Sequence, residues 1–342
     1  MTLRDRHQRP LGALRISVTD RCNLRCRYCM PAASYRWLPS ASLLTDAEVT
    51  RLAGLFAVLG ARKLRITGGE PLLRPGLAQL IAALAALPGV EDLALTTNAT
   101  HLAQQADALR RAGLQRVTVS IDTLRADRMR RLARHDRLAA VIAGIDAARD
   151  AGMRRLKTNT VVIRGENDDE LADIVRFAAA RGAEPRFIEY MDVGGATEWS
   201  AAQVVSGAEV VARLGRAFGG AVALRRDDDP HAPAERWRLG DGTIVGVVTS
   251  TTAPFCGDCD RSRLTADGKW FTCLYATAGT DLAAPLRGGA TDAELLEIIR
   301  ATWAARTDRG AEGRVALSER GALVPLTRLR EDPWMEMHVR GG

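Results

Sequence analysis

Apolar positions along this chain switch repeatedly between two periods. Through the first 195 residues, a short apolar run with strand character alternates with a longer segment whose apolar residues recur every three to four positions, a cycle of about 25 to 30 residues. The pattern predicts strands over 14–20, 63–70, 92–98, 116–123, 155–163 and 186–193, with helices over 45–59, 76–87, 102–112, 137–151 and 168–181. Thr45 followed by Glu48 is a capping-box pattern opening the first helix, and Gly60, Gly113, Gly152 and Gly182 stand where helices should stop. Six strands with helical crossovers predict a parallel sheet, either open and doubly wound or a barrel with missing units. Both place functional groups at the carboxyl ends of strands. After Gly194 and Gly195 the rhythm breaks: a helix over 207–218 precedes short strands over 221–226, 236–239, 243–250, 262–265 and 269–275, then a helix over 292–306. The acidic run 227–229, flanked by Pro230 and Pro233, reads as a solvated loop.

Composition narrows the class. With 46% hydrophobic and 26% charged residues in 342, the chain can bury enough apolar surface to fold, which excludes disorder. No run of about 18 apolar residues occurs, and the first ten residues are polar and charged, so neither a membrane span nor a secretory signal is expected. The expected location is cytoplasmic. The formal net charge of +7 is a mild bias. More telling, three of the 48 basic residues are lysines: Lys63, Lys157 and Lys269. A lysine kept among arginines suits a site that needs a compact ammonium instead of a planar fork.

The six cysteines form two triplets, Cys22, Cys26, Cys29 and Cys256, Cys259, Cys273. Disulfides are disfavoured in a reducing compartment, and a triplet cannot pair within itself. Structural zinc takes four ligands, and the nearest histidine to the first triplet in sequence is His7. A 4Fe-4S cluster held by three thiolates keeps one iron open to another ligand. The spacing Cys22-x3-Cys26-x2-Cys29 after a first strand resembles the radical S-adenosylmethionine superfamily. That resemblance implies that the methionine part of the cofactor chelates the open iron and that the reduced cluster cleaves it to a 5′-deoxyadenosyl radical. It further implies that Tyr28 lies along the adenine, that Gly69 and Glu70 of Thr67-Gly-Gly-Glu-Pro71 meet the cofactor's amino group through the backbone, and that Ser120 and Met191 complete its site.

The second triplet, in Cys256-Gly-Asp-Cys259-Asp-Arg261-Ser-Arg263 with Gly268-Lys269-Trp270 before Cys273, resembles the GTP 3′,8-cyclase family, which opens molybdenum cofactor biosynthesis. The likeness runs from Arg15 to the terminal Gly341-Gly342. With it, the expected fold class is α/β: an incomplete parallel (β/α)6 TIM-like barrel over 1–195 carrying the first cluster, and a C-terminal α+β region over 196–342 carrying the second. The open iron of the second cluster would take the substrate. The resemblance gives Arg15, Lys63, Arg65, Thr96, Lys157, Arg261 and Arg263 as GTP contacts, and Gly341 and Gly342 as the end of an arm reaching the site, against the simpler reading of a frayed terminus. Charges inside a strand buried on both faces are costly unless paired, which singles out Arg15, Arg65 and Lys157 independently.

The implied enzyme is a lyase forming 3′,8-cyclo-7,8-dihydroguanosine triphosphate, with no side chain as acid or base. The implied partners are an external low-potential electron donor, a cyclic pyranopterin monophosphate synthase that takes the product, and a second copy of the chain in a homodimer; neither nucleic acid nor membrane is expected. There is no Walker loop and no recognisable Ser-His-Asp arrangement. Two rivals remain: another radical enzyme with an auxiliary cluster, such as a peptide-modifying one, and a non-catalytic zinc module binding nucleic acid.

Overall fold

The computed structural model describes residues 2–32, 34–224 and 229–341. Gly342, Asp227 and Asp228, and the last two positions of the strand expected over 221–226, lie outside the described residues.

Six strands, β1 (Ala13–Ser17), β2 (Lys63–Thr67), β3 (Asp92–Thr97), β4 (Arg116–Ser120), β5 (Lys157–Val162) and β6 (Glu184–Glu189), pair in sequence order and in parallel. The helices between them are α1 (Asp46–Val58), α2 (Leu77–Ala85), α3 (Leu102–Arg111), α4 (Ala126–Ala133), α5 (Leu138–Asp150) and α6 (Leu171–Ala179). The Thr45 capping box is present at α1, and all four expected stop glycines take positive φ. Helix α4 was not legible as a separate element, because half of its sequence ADRMRRLA is charged and the segment is short. Strand β1 stops at Ser17, three residues short of the expectation, because Val18 to Asp20 lead out of the sheet into the first cysteine loop.

The C-terminal region joins this sheet instead of packing on it as a separate layer. After α7 (Gly207–Phe218) come β7 (Ala221–Ala223), β8 (Glu235–Leu239) and β9 (Ile244–Val248), and β9 pairs in parallel with β6. Strand β10 (Arg261–Leu264) pairs in parallel with β1 at the opposite edge, followed by β11 (Lys269–Phe271) and β12 (Thr280–Asp281). The result is one open sheet of 12 strands in which both edges of the first six are covered. Leaving β1 and β6 bare would expose two rows of unpaired backbone groups. No periodicity in the sequence encodes that pairing.

The remaining helices are α8 (Ala283–Arg287), α9 (Asp292–Ala304), α10 (Gly310–Val315), α11 (Leu326–Glu331) and α12 (Met337–Arg340). On the helix-covered face, Leu14, Ile16, Leu64 and Ile66 join one large core with the apolar sides of the helices. Trp270 of β11 stacks on Trp303 of α9 at 6.2 Å and meets Phe56 of α1 edge-on at 5.1 Å, fastening the C-terminal region to that core. The opposite face of the parallel strands carries Arg15, Arg65, Thr96 and Lys157 toward a cavity. The expectation that these strands pack apolar residues on both faces is therefore corrected: one face packs on helices and the other lines an enclosed cavity, where the in-strand charges are buried against polar neighbours instead of an apolar layer. Among the described residues, no helix is long and apolar enough to cross a membrane.

Candidate functional site

One cavity of about 710 Å³ runs along the inner face of the sheet, and all six cysteines line it. All six are free thiols. Cys22, Cys26 and Cys29 stand beyond the carboxyl end of β1, on a loop closed by Cys29 and Met30 N–H bonds to the Cys26 carbonyl at 2.9 and 2.7 Å. The loop is stitched outward: Arg25 and Arg27 N–H donate to the Ala133 and Leu132 carbonyls at the end of α4, and Asn23 is bonded by Asn98 after β3. Burial raises all three thiols, Cys22 to about 11, so these sulfurs become good donors only when a metal displaces their protons. Among the described residues no group of three or more His, Cys, Asp or Glu side chains is drawn together tightly enough to hold a single metal ion. The fit of each triplet to an iron–sulfur cluster therefore rests on its donor chemistry and on loops that open into a shared cavity.

The glycine pair at the end of β2 is explained by the protein's own backbone. A Cβ on Gly68 would stand 2.4 Å from the Thr19 carbonyl oxygen, and one on Gly69 would stand 2.4 Å from that of Arg21. The pair thus lets the end of β2 lie directly against the start of the cysteine loop. Gly69 and Glu70 N–H groups are used in that contact, donating to Thr19 and Arg21 carbonyls at 2.8 Å. What remains for a ligand here is carbonyl oxygen, which suits an ammonium group. The Glu70 side chain turns away from the cavity and accepts from Thr97 Oγ1, Asn98 N and Leu72 N; burial pushes its pKa up to about 7. Of the residues expected around the cofactor, Tyr28, Gly69, Ser120 and Met191 line the cavity and Glu70 does not. Tyr28 is held by its hydroxyl, which donates to Asp122 just beyond β4 at 2.6 Å.

The basic residues lie elsewhere than the sequence suggested. Lys63 and Lys157 are the first residues of their strands and Arg15 and Arg65 the third, so the cations occupy the amino-terminal half of the sheet. That half is where β10 and its cysteines close the cavity, and the carboxyl-end expectation fails because it could not foresee β10 beside β1. Strand register puts Arg263, Arg15 and Arg65 in one row across β10, β1 and β2. Among the described residues none of the three has a carboxylate partner within ion-pair distance. Arg65 donates to Thr96 and Thr118 hydroxyls at 3.2 Å. Burial, then repulsion between neighbouring arginines, pulls Arg65 and Arg263 down to about 9 and Arg15 well below its ordinary value. Arginine does not readily surrender its charge, so a bound polyanion is what relieves this pressure.

Around the row, other cations are already paired: Lys63 with Asp229 at 2.7 Å, and Lys157, Arg186 and Arg236 with Glu184 at 3.5, 3.0 and 3.3 Å. Burial and the Arg186 charge press Lys157 down to about 7. Arg116 and Arg186 also line the cavity and were missed, because each is the first residue of its expected strand and so gives no in-strand charge signal. At the second triplet, Arg261 donates to Cys259 Sγ at 3.5 Å. Burial of Cys259 works to raise it but is outweighed by Arg261 and Arg306, which bring it down to about 6.

The described part of the tail is not frayed. Val339, Arg340 and Gly341 are buried, Arg263 donates to the Arg340 and Gly341 carbonyls, and a Cβ on Gly341 would stand 2.3 Å from Thr67 Cγ2. Lys269 is removed from the cavity's lining; its ammonium stands 3.3 Å from the Trp334 ring centroid.

Comparison with known proteins adds a second line of evidence. Residues 16–178 match the radical SAM superfamily, and residues 183–312 match Molybdenum Cofactor Synthesis C. A Mycobacterium tuberculosis protein named GTP 3′,8-cyclase 1 is 49% identical over 344 residues, covering 99% of this chain and 95% of the relative. A GTP 3′,8-cyclase of Acidothermus cellulolyticus is 49% identical over 333 residues, covering 93% and 90%. Among solved structures, Streptococcus suis SuiB bound to precursor peptide SuiA superposes with a TM-score of 0.63 at 15% identity, covering 91% of this chain and 68% of that one, a likeness of fold alone.

Proposed function

The chain belongs to the GTP 3′,8-cyclase family of radical S-adenosylmethionine enzymes, and on that premise we propose how its residues carry out the conversion of GTP to (8S)-3′,8-cyclo-7,8-dihydroguanosine 5′-triphosphate. This lyase reaction is the first step of molybdenum cofactor biosynthesis. The observation that carries the assignment of roles is one cavity with a cysteine triplet at each end and, between them, a row of arginines without carboxylate partners among the described residues.

In this reading the frame is an incomplete (β/α)6 TIM-like barrel over 1–195, completed by the region 196–342. Cys22, Cys26 and Cys29 hold one 4Fe-4S cluster, and Cys256, Cys259 and Cys273 hold a second. When bound, the first cluster with S-adenosylmethionine would supply a 5′-deoxyadenosyl radical for removal of hydrogen from C3′ of GTP; addition of the sugar radical to C8 then needs one electron and one proton to give the dihydro product. The protein's own share is placement. Gly69 offers its backbone carbonyl to the cofactor's amino group, with Glu70 behind it holding the turn through Leu72 and Asn98; Tyr28 and Met191 flank its adenine, and Ser120 meets its carboxylate or ribose. Arg15, Arg65, Arg261 and Arg263 meet the triphosphate, with Lys63, Lys157 and Thr96 beside them. Each charge-assisted bond contributes roughly 1.5 to 3 kcal/mol. Guanine faces the second cluster, which turns C3′ toward the first. Gly341 and Gly342 end an arm that excludes water and stray hydrogen donors from the cavity.

An external low-potential electron donor, a synthase that takes the product, a homodimer and a cytoplasmic setting complete the proposal. The test is anaerobic turnover of the reconstituted chain with GTP, S-adenosylmethionine and a reductant. Cyclised nucleotide and 5′-deoxyadenosine should form together and depend on GTP. Deoxyadenosine formed without regard to GTP, with no cyclised nucleotide, would sink the cyclase reading in favour of another radical reaction.

A further inference from the structure

The segment before β1 is tied to the second cysteine triplet by ions that the proposed chemistry does not use. Residues 4–10 fold back on themselves around Asp5, whose Oδ1 accepts from the His7 and Arg9 N–H groups at 2.9 Å. Its other oxygen, Oδ2, accepts from Arg9 Nε at 2.6 Å and from Arg306 Nη1 at 3.2 Å. Asp5, Arg9 and Arg306 are 3%, 2% and 4% exposed, so one anion and two cations sit together out of water. Removing that many charges from solvent is costly unless their hydrogen bonds are well used.

Their remaining bonds go to the second cysteine loop. Arg9 Nη1 donates to the Cys256 carbonyl at 2.8 Å and to that of Asp308 at 2.7 Å. Arg306 Nη1 donates to the Cys259 carbonyl at 2.9 Å. Gly12 and Ala13 N–H groups donate to the next carbonyl, Asp260, at 3.1 Å. Trp303 seals the group: its indole donates to the Arg9 carbonyl at 3.3 Å, and its ring lies 4.4 Å from the Arg306 guanidinium. Arg9 Nη2 is buried with no hydrogen-bond partner, and Arg306 Nε makes no hydrogen bond but stands 3.7 Å from Asp308 Oδ2, so Arg9 retains donor capacity beside the cysteine loop.

We propose that Asp5, Arg9 and Arg306 are positioning residues for the second cluster: they fix the carbonyls of Cys256 and Cys259 and hold two buried guanidinium groups beside the ligand loop, balanced by buried Asp5 and, at 3.7 Å from Arg306, by the more exposed Asp308. This rests on the reading of the second triplet as a cluster site. A buried positive charge favours the more negative, reduced form of a neighbouring iron–sulfur group, so the triad holds its reduction potential up.

The test uses the full-length chain with Cys22, Cys26 and Cys29 changed to alanine, so that any cluster formed is the second. Iron content, the electron paramagnetic resonance spectrum of the reduced protein and its midpoint potential are read for this parent and with R306Q, R9Q or R306K added. The expected result is a negative shift in potential with altered g-values for R306Q and R9Q, and a smaller shift for R306K, which keeps the charge. If either glutamine variant fails to fold, by circular dichroism, the other and R306K carry the comparison. Unchanged potential and spectrum in the folded glutamine variants, or an R306K shift as large as that of R306Q, would overturn the triad alone. A parent that binds no iron would remove the second cluster and the triad with it.

Discussion

The two ends of the cavity hold their cysteines by different means. At the carboxyl end the first triplet is set mainly by backbone: glycines pressed against the loop and backbone hydrogen bonds to α4, helped by polar side chains such as Asn98 and Asp122. At the amino end the second triplet is surrounded by arginines, with Arg261 on a sulfur and Arg9 and Arg306 on the carbonyls. The first end offers backbone carbonyl oxygen, which suits an ammonium group, while the second suits a polyanion. One sheet therefore supports both by giving its carboxyl ends to backbone groups and its amino half to guanidinium groups.

The largest effect should come from separating the ends. Replacing Cys22, Cys26 and Cys29 by alanine should abolish both 5′-deoxyadenosine and cyclised nucleotide. Replacing Cys256, Cys259 and Cys273 should abolish the cyclised nucleotide while retaining measurable deoxyadenosine, both read by liquid chromatography. Equal loss of the two products in the second variant would mean that the ends do not have separate roles.

Next in size is the arginine row. Arg15→Ala or Arg65→Ala should weaken GTP binding about 10- to 100-fold, the loss of one charge-assisted bond, without weakening S-adenosylmethionine binding. Calorimetry with each ligand checks this, and equal weakening of both ligands would contradict the division of the cavity.

A smaller effect concerns pH. Lys157, pressed down to about 7 by burial and the Arg186 charge, is part-neutral in the free protein near neutrality. A triphosphate favours its ammonium, so binding takes up a proton and GTP affinity should fall as pH rises above about 7. Lys157→Arg should flatten that dependence. A profile that stays steep in this variant would assign the titration to another group.

The smallest effect lies outside the cavity. Lys269→Met should leave both products unchanged and lower stability by no more than about 2 kcal/mol, the scale of a partly buried cation–π contact with Trp334. A catalytic defect would return Lys269 to the site.

How far the sequence was legible follows the same division. Strand and helix alternation is written in local periodicity, so β1 to β6 and most of their helices could be read, as could both cysteine triplets and Arg15, Arg65 and Lys157. The addition of β9 and β10 at opposite edges is a long-range pairing with no local signature. Without it, the basic residues were assigned to the wrong end of the strands, and the link from Arg9 to Cys256 was invisible. Arg116 and Arg186 stand at the first position of their expected strands and carried no in-strand charge signal. The glycine pair was found for the right position, though its space is taken by Thr19 and Arg21 and not by a ligand.

The central claim is that the two occupants meet within one cavity, with C3′ of GTP turned toward the first triplet. Turnover with GTP deuterated at C3′, followed by mass spectrometry of the 5′-deoxyadenosine, tests it most directly. The account predicts deuterium in the deoxyadenosine alongside cyclised nucleotide. Unlabelled deoxyadenosine formed together with the cyclised product would contradict it.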